Sequence, residues 1–141
     1  GYSGNPALWP LIYDTDASDL LLVKINPLVR AGVPDTAAEI ADRVNEITFN
    51  ASLLAELRAI EFVRRLLAEG KLDPRRYKNV RMHRIDGGTP LQGQGFASKS
   101  RADAAFLHKL FELGREAGQQ WLQAHRADVG VRATLDLAQH A

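Results

Sequence analysis

The sequence contains no cysteine, which excludes disulfide bonds, thiolate catalysis and cysteine-ligated zinc together. It also lacks long apolar runs: none exceeds four residues, whereas a membrane-spanning helix needs about 20. Charge of one sign is not in excess, because 18 Lys and Arg stand against 17 Asp and Glu. This balance provides no electrostatic argument for a nucleic-acid partner. We therefore expect no transmembrane segment, no nucleic acid, and a localisation that is soluble or peripheral to a membrane.

What the sequence does contain is enough apolar material for one domain. Of its 141 residues, 45% are hydrophobic, so the chain can bury a core if it holds every part that its fold needs. The first residue is a glycine instead of a methionine, and no signal peptide follows it. This beginning indicates a processed or truncated chain and leaves the cellular location open.

A first strand is predicted over Leu20–Ile25, a short apolar run bounded by turn signals. A continuous run, as opposed to an alternating one, favours an interior parallel strand that is buried on both faces. Asn26-Pro27 ends this strand, because proline cannot donate to the ladder of hydrogen bonds.

A long helix is predicted to begin at Thr36-Ala37-Ala38-Glu39, which is a capping box, and to end at Gly70. Thr48, Asn50 and Ser52 indicate a bend within it. Apolar residues recur at spacings of three and four and predict one core-facing stripe: Ile40, Val44, Ile47, Ala51, Leu54, Leu57, Ile60, Val63 and Leu67.

A second strand is predicted over Val80–Asp86, and a glycine-rich loop follows over Gly87–Gly95. The sequence favours a mobile surface loop there, with an active-site lid as the alternative. Ser100 with Asp103 predicts the cap of a further helix. That helix carries an apolar stripe, Phe106, Leu110, Leu113, Ala117 and Trp121, and two glycines that allow close helix contact, Gly114 and Gly118. Thr134 predicts the cap of a short last helix from Leu135 onward.

Ser3, framed by Gly1 and Gly4, raises the question of a catalytic nucleophile. A nucleophile elbow needs Gly-x-Ser-x-Gly, and Asn5 stands where the second glycine should be. Ser98-Lys99-Ser100 resembles a serine-lysine pair only by adjacency, because Ser-x-x-Lys places the two groups one helical turn apart. Neither serine is therefore predicted to be a nucleophile.

The four histidines do not have the spacing of a metal site. His83 lies in the second predicted strand, and His108 and His125 are 17 residues apart on one predicted helix. His140 stands beside the end of the chain. We predict surface histidines and a partly buried His83, with no metal ligand among them.

Asp14, Asp16 and Asp19 form an acidic cluster before the first strand. No glycine turn and no closing glutamate complete an EF-hand loop around them. We therefore predict a solvated polar connection.

The opening Gly1–Leu8 resembles a segment of bacterial patatin-like phospholipases, in which Asp-Gly-Gly runs directly into Tyr-x-Gly-Asn-Pro-Ala-Leu. Later stretches are also similar to that family, so the resemblance covers most of the chain. These stretches are Lys24–Pro27, Pro34–Ile40, Val44–Leu53, Arg58–Ile60, Ser98-Lys99, Leu113–Arg115 and Trp121-Leu122.

The resemblance implies an α/β sandwich with a central, mainly parallel sheet, of which residues 1–141 form the C-terminal portion of a single domain. This chain would supply about two strands and three or more helices. The serine nucleophile of the Gly-x-Ser-x-Gly elbow and the aspartate base would both lie upstream, so no catalytic residue is expected in this chain. The residues at the edge of the motif are Gly1, Tyr2, Gly4, Asn5 and Pro6.

The family resemblance also implies a chemistry and a set of partners. The substrates would be lipid acyl esters, hydrolysed through an acyl-enzyme with no metal or organic cofactor. The partners would be the N-terminal portion of the same enzyme, the acyl-ester substrate and, peripherally, a membrane. This chain alone should be inactive, because a serine hydroxyl needs a base and oxyanion donors to react.

Two other interpretations remain at this point. In the first, a patatin-derived half-domain serves as a non-catalytic binding module, which predicts a monodisperse chain with cooperative unfolding. In the second, the chain is a complete small esterase that uses Ser3 or Ser98 with a histidine. The patatin interpretation instead predicts that the chain alone exposes apolar surface around Leu20–Ile25 and associates.

Overall fold

The computed structural model describes residues 7–25, 28, 32–88 and 103–140. Within these ranges the chain forms three α-helices, two β-strands and two 3-10 turns. In chain order they are α1 (Trp9–Tyr13), β1 (Asp19–Lys24), α2 (Ala37–Ala68), β2 (Arg81–Asp86), α3 (Ala104–His125) and the turns Arg126–Asp128 and Leu137–His140. This arrangement confirms the α/β class at the level of mixed helices and strands.

The two strands form a parallel two-stranded sheet, and α2 makes the connection between them. Parallel neighbours need such a crossover, because a tight turn can join only antiparallel strands. Where the strands begin, the Arg81 amide donates to the Ser18 carbonyl at 2.7 Å. The second predicted strand is thereby confirmed, with its first residue at Arg81 instead of Val80.

The prediction that β1 is buried on both faces is not met within the described part of the chain. Burial alternates along the strand: Leu20, Leu22 and Lys24 are buried, whereas Leu21 is 49% exposed and Val23 70% exposed. In the described part of the chain, β1 pairs with β2 alone and is covered on one face. A run of leucines and valine fits a half-covered strand as well as a buried one, so composition could not distinguish them.

The ends of α2 follow the local signals. The Glu39 carboxylate accepts from the Thr36 amide at 3.1 Å, and the Glu39 amide donates to the Thr36 hydroxyl at 3.2 Å, which is the predicted capping box. At the other end Gly70 has φ +69°, and the Lys71 amide donates to the Leu66 carbonyl at 2.9 Å. This is a Schellman ending, which requires the left-handed conformation that glycine adopts without strain.

We expect Gly70→Ala to lower the free energy of unfolding by about 1 kcal/mol, because alanine pays the left-handed backbone cost that glycine avoids. Nothing lies within 4 Å of a Cβ at this position, so a steric clash adds nothing. Urea denaturation measures the change, and Gly70→Asn, which tolerates this conformation better, should lose less. An alanine variant as stable as the parent would contradict the strain argument.

The apolar stripe predicted for α2 is only partly core-facing. Leu57 and Ile60 are buried, but Ile40, Val44 and Ile47 are 49%, 56% and 58% exposed. Leu53, which the stripe omitted, is 1% exposed. Spacing identifies an apolar face, whereas burial depends on which elements pack against each part of the helix. The structure assigns no apolar cover to the first turns of α2 within the described ranges.

The hydrophobic core lies where α1, the strands and the second half of α2 meet. Its side chains pack with a partly buried Leu135, and its most enclosed member is Met82, at 0% exposure. The other members are Leu8, Ile12, Leu20, Leu22, Leu53, Leu57, Ile60, Val80 and Leu137. Leu8 and Ile12 therefore pack α1 and the residue before it into the same core as the strands and the second half of α2.

The described residues fall into two compact units. The first is formed by those within Gly1–Leu22, Phe49–Arg84 and Ala127–Ala141, and it contains the core. The second is formed by those within Val23–Thr48 and Ile85–Arg126, and it contains α3.

Helix α3 begins as predicted, because the Asp103 carboxylate accepts from the Phe106 amide at 2.9 Å. Phe106 is buried and the rest of its predicted stripe is half-buried. The close helix contact expected at Gly114 and Gly118 is absent among the described residues, since nothing lies within 4 Å of a Cβ at either.

The last predicted cap is wrong. Thr134 does not cap a helix; its amide donates to the Met82 carbonyl at 3.1 Å. The final turn begins at Leu137, and the Asp136 carboxylate accepts from the Ala138 amide at 3.0 Å. The Thr134 amide is therefore engaged in a hydrogen bond to β2 and does not lie at the beginning of a helix.

Candidate functional site

The segment that follows the opening motif is held by one distant carboxylate. Glu56 Oε2, on α2, accepts from the Leu8 amide at 2.6 Å and from the Trp9 amide at 3.1 Å. Leu8 stands at the N-terminal cap of α1 but provides no side-chain acceptor, and Pro10 has no N–H to satisfy. Glu56 therefore supplies the acceptor that a local capping residue would otherwise provide.

The position of Glu56 follows from the helix period. It lies three residues after Leu53 and four before Ile60, both buried, so it shares their face of α2. A carboxylate on the core-facing side of a helix requires a partner there. The two amides of the α1 segment are that partner.

A small cavity lies beside this anchor. Its volume is about 60 Å³, and apolar side chains of α1 and α2 line it together with Val80, Glu56 and Lys78. The ammonium of Lys78 donates to the Thr15 carbonyl. An engineered cavity of about 150 Å³ holds benzene, so this one accepts only a smaller apolar group. It does not have the volume for a lipid acyl chain.

A second polar cluster is centred on Asp19, the first residue of β1. Its carboxylate accepts from Arg81 Nε at 3.0 Å and from Arg81 Nη2 at 2.6 Å in a two-pronged ion pair. The Gly130 amide donates to the same carboxylate at 2.9 Å, and His83 Nε2 lies 3.0 Å from it. The Arg81 guanidinium above all, with the Gly130 and His83 donors, holds the pKa of Asp19 well below its usual range.

His83 connects this cluster to the C-terminal segment. Its Nδ1 lies 2.9 Å from Thr134 Oγ1, and the side chain is 1% exposed. Because the Asp19 carboxylate can only accept, Nε2 carries a proton, and a neutral ring then accepts from the Thr134 hydroxyl. Asp19, His83 and Thr134 thus form a continuous chain of hydrogen bonds.

The hydrogen bonds that join Asp19, His83 and Thr134 have a structural role. Four donors already satisfy the Asp19 carboxylate, and Arg81 neutralises its charge, which weakens the support it could give to a basic histidine. The imidazole is also enclosed, whereas a general base must reach the proton that it takes from a substrate. The cluster therefore ties the segment from Gly130 to Thr134 to the beginnings of the strands.

This cluster corrects one prediction and sharpens another. Asp19 is not part of a solvated connection, although Asp14 and Asp16 are exposed as expected. His83, predicted to be partly buried, is almost completely buried. Arg81 and His83 are two residues apart on β2, a spacing that places both side chains on the same face of the strand. This spacing could have identified the pair from the sequence.

The residues at the edge of the opening motif lie outside the described residues: Gly1, Tyr2, Gly4, Asn5 and Pro6. Ser3 and the stretch Ser98–Ser100 lie outside them as well, as does most of the glycine-rich loop over Gly87–Gly95. What the sequence analysis predicts for the glycine-rich loop, for Ser3 and for Ser98 therefore stays a prediction.

The remaining histidines belong to α3 or to the C-terminal turn. The His108 ring stacks 6.4 Å from that of Phe111, and the His125 ring lies 5.6 Å from that of Trp121. Within the described ranges, no three His, Asp or Glu side chains converge in a way that could hold a metal ion. His140 falls in the last 3-10 turn, and its side chain is outside the described part.

Comparison with known proteins yields no relative: no family model, curated protein or solved structure matches the chain. Among the described helices, none combines the length and apolarity that crossing a membrane requires.

Proposed function

We propose that this chain is the C-terminal portion of a patatin-like serine acyl hydrolase. In this proposal an upstream polypeptide carries the Gly-x-Ser-x-Gly elbow, the oxyanion loop and the aspartate of Asp-Gly-Gly, whose last glycine is Gly1. The resemblance over Gly1–Leu8 and the later stretches suggests the family. The alternative is a non-catalytic interaction module derived from a patatin half-domain.

The observation that carries the proposal is the half-covered sheet. Parallel sheets ordinarily have both faces covered, and two strands alone are rarely sufficient for a stable sheet. Here β1 leaves Leu21 and Val23 exposed, and Ile25 directly after it is 67% exposed. Within the described ranges, Leu21, Val23 and Ile25 therefore lack a covering layer, which the remainder of a patatin-like domain would supply.

The chemistry would take place on the upstream residues. The serine Oγ attacks the ester carbonyl carbon while its proton passes to the aspartate, and backbone donors stabilise the oxyanion. The C–O bond to the alcohol then breaks, and the alcohol leaves with that proton. Water, deprotonated by the same aspartate, attacks the acyl-enzyme and releases the acid and the free serine. This chain contributes the segment after the aspartate and the core that supports it.

The test compares this chain alone with a polypeptide that joins it to the coding region upstream of Gly1. Hydrolysis of a chromogenic acyl ester and labelling by a fluorophosphonate are measured for both. We expect both signals only from the joined polypeptide, and we expect substitution of its Asp-Gly aspartate by asparagine to abolish hydrolysis. An upstream region without Asp-Gly would contradict the proposal.

Two further outcomes would favour the other interpretations. Hydrolysis by this chain alone would support a small esterase. A joined polypeptide without hydrolysis, together with a chain that sediments as a monomer and unfolds cooperatively, would support an interaction module. The patatin proposal instead predicts association of the isolated chain in sedimentation, because Leu21 and Val23 of β1 are exposed within the described part of the chain.

A further inference from the structure

We propose that the cavity beside α1 is a binding site for a small aliphatic α-amino acid, with the ligand's ammonium group held by Glu56 and its carboxylate held by Lys78. Every residue that lines the cavity belongs to the first compact unit. The inference therefore does not rest on the proposed function or on any residue upstream of this chain.

One wall of the cavity is a single face of α2. Ala59, Ile60 and Val63 stand three, four and seven residues after Glu56, so the four side chains share this face. Ile60 belongs to the buried core, and Val63 is half-buried. This wall is thus apolar along its length and carries one carboxylate at its N-terminal end.

A second wall is formed by two aromatic side chains of α1. Trp9 and Tyr13 are four residues apart, and their ring centroids lie 4.1 Å from each other. Both line the cavity, yet Trp9 is 61% exposed and Tyr13 is 47% exposed. An aliphatic group seated against these rings removes more of their apolar surface from water, which favours its binding.

Two opposite charges line the same cavity, and no ion pair joins them within the described part of the chain. Glu56 accepts from the Leu8 and Trp9 amides through Oε2 alone, so Oε1 keeps its capacity to accept. Lys78 donates to the Thr15 carbonyl, which uses one of the three N–H donors of its ammonium. Charged groups beside apolar walls gain most from a charged partner. The cavity therefore complements a molecule that carries both an ammonium group and a carboxylate.

The volume of the cavity, about 60 Å³, sets the size of the apolar group. A water molecule takes about 30 Å³ in the liquid, so there is room for an aliphatic group of about two or three carbon atoms. The isopropyl group of valine has this size, whereas a phenyl ring does not. In an α-amino acid a single carbon atom carries the ammonium, the carboxylate and the side chain. One small molecule can therefore use the two charges and the apolar walls together.

The experiment is isothermal titration calorimetry of the joined polypeptide with L-valine at neutral pH, where valine carries both charges. Two related probes each lack one charge: 3-methylbutanoate has no ammonium group, and 2-methylpropylamine has no carboxylate. Glycine lacks the apolar group, and L-phenylalanine exceeds the cavity. The titration is informative whether or not the joined polypeptide hydrolyses an ester.

The protein variants remove one charge at a time. Lys78→Gln and Glu56→Gln change the two groups that would hold the ligand, and both keep a side chain of similar length. The matched controls are Lys71→Gln and Glu61→Gln. Lys71 pairs with Glu69 at 2.6 Å and Glu61 pairs with Arg64 at 3.0 Å, and neither Lys71 nor Glu61 lines the cavity.

We expect L-valine to bind one site per chain with a Kd of about 0.1–1 mM, as suits a ligand of so few atoms. Each probe that lacks a charge should bind at least about 10-fold more weakly, because it leaves a charged side chain without its hydrogen bond. Lys78→Gln and Glu56→Gln should weaken valine binding to the same extent, and both controls should keep the parent affinity. Glycine and L-phenylalanine should bind more weakly than valine.

The inference is overturned if L-valine at about 20 mM produces neither heat nor a rise in the thermal midpoint, which a ligand of the native state must cause. That result is expected if the cavity instead receives an apolar side chain of a protein partner. Equal affinity for valine and for either singly charged probe would reject an amino-acid site. Equal affinity for L-phenylalanine would place the ligand outside the cavity.

The variants decide the location of the site independently. If Lys71→Gln or Glu61→Gln weakens binding as much as the cavity variants do, the effect belongs to the overall charge of the unit, and the site is rejected. If Glu56→Gln does not fold, because the anchor of α1 is weakened, Lys78→Gln decides. Parental affinity for valine in Lys78→Gln rejects the site.

Discussion

Asp19→Ala is expected to lower the free energy of unfolding by about 3 kcal/mol, because one carboxylate holds three separate parts of the chain. Its removal takes the ion pair from the guanidinium of Arg81 and the hydrogen bond to Asp19 from the enclosed Nε2 of His83. It also frees the Gly130 amide, so the C-terminal segment loses its hydrogen bond to the beginning of β1. Because 20% of the Asp19 side chain remains accessible, the expected loss of unfolding free energy lies at the low end of the range for breaking a buried ion pair.

Urea denaturation followed by tryptophan fluorescence measures this loss. The matched control is Asp16→Ala, because Asp16 is an exposed aspartate in the connection that precedes β1. Its removal should change stability by less than about 0.5 kcal/mol. If the two variants lose equal stability, the cluster around Asp19 does not hold the strands and the C-terminal segment together.

The pH dependence of the same comparison follows from the lowered pKa of Asp19. A carboxyl group with a folded pKa below its unfolded value, about 3.9, contributes stability that is present above that value. The contribution is lost as the pH falls through the folded pKa. The difference between parent and Asp19→Ala should therefore be constant above about pH 5 and shrink below about pH 4. A difference that stays constant below about pH 4 would contradict the assignment of this stability to the ionised Asp19 carboxylate.

Leu53→Ala is expected to lower the free energy of unfolding by about 3 kcal/mol, within the range of about 2–5 found for such truncations in cores. Leu53 is 1% exposed and packs in the core with Leu57 and Met82, so its truncation leaves a cavity there. Denaturation by urea at low protein concentration measures the change.

The control for Leu53→Ala is Ile47→Ala on the same helix. Ile47 is 58% exposed, and its truncation should change stability by less than about 0.5 kcal/mol. The comparison is informative because the spacing of apolar residues predicts the opposite order: Ile47 belongs to the predicted stripe and Leu53 does not. A larger loss of stability for Ile47→Ala would mean that the predicted apolar stripe of α2 packs against residues outside the described part of the chain.

The elements that sequence reasoning located correctly are those with local causes. The capping box at Thr36 and Glu39, the glycine ending at Gly70 and the Asp103 cap all act within a few residues of backbone. Their hydrogen bonds form whenever the helix forms, whatever packs against it. These signals therefore predicted the helix ends closely.

Burial was predicted less well, because it is a property of the neighbours. The leucines of β1 alternate between buried and exposed, although the letters in the sequence form one continuous apolar run. In α2, Leu53 is enclosed while Ile40 and Val44 remain exposed. Nothing within a short window of sequence states which faces will be covered, since the covering elements lie elsewhere in the chain.

The candidate site divides in the same way. The opening motif and the resemblance that it carries are readable in the sequence, and so are the absence of cysteine and of metal-ligand spacing among the histidines. The roles of Glu56 and Asp19 are not, because Glu56 meets Leu8 across 48 residues and Asp19 meets Gly130 across 111.

By itself, then, the sequence determined both ends of α2, the beginning of α3 and which chemistries its residue types exclude, because those depend on neighbouring residues and on composition. Only the tertiary structure decided which carboxylates are anchors and which face of β1 is covered. Both depend on contacts between segments that are distant in sequence, and such contacts exist only once the chain has folded.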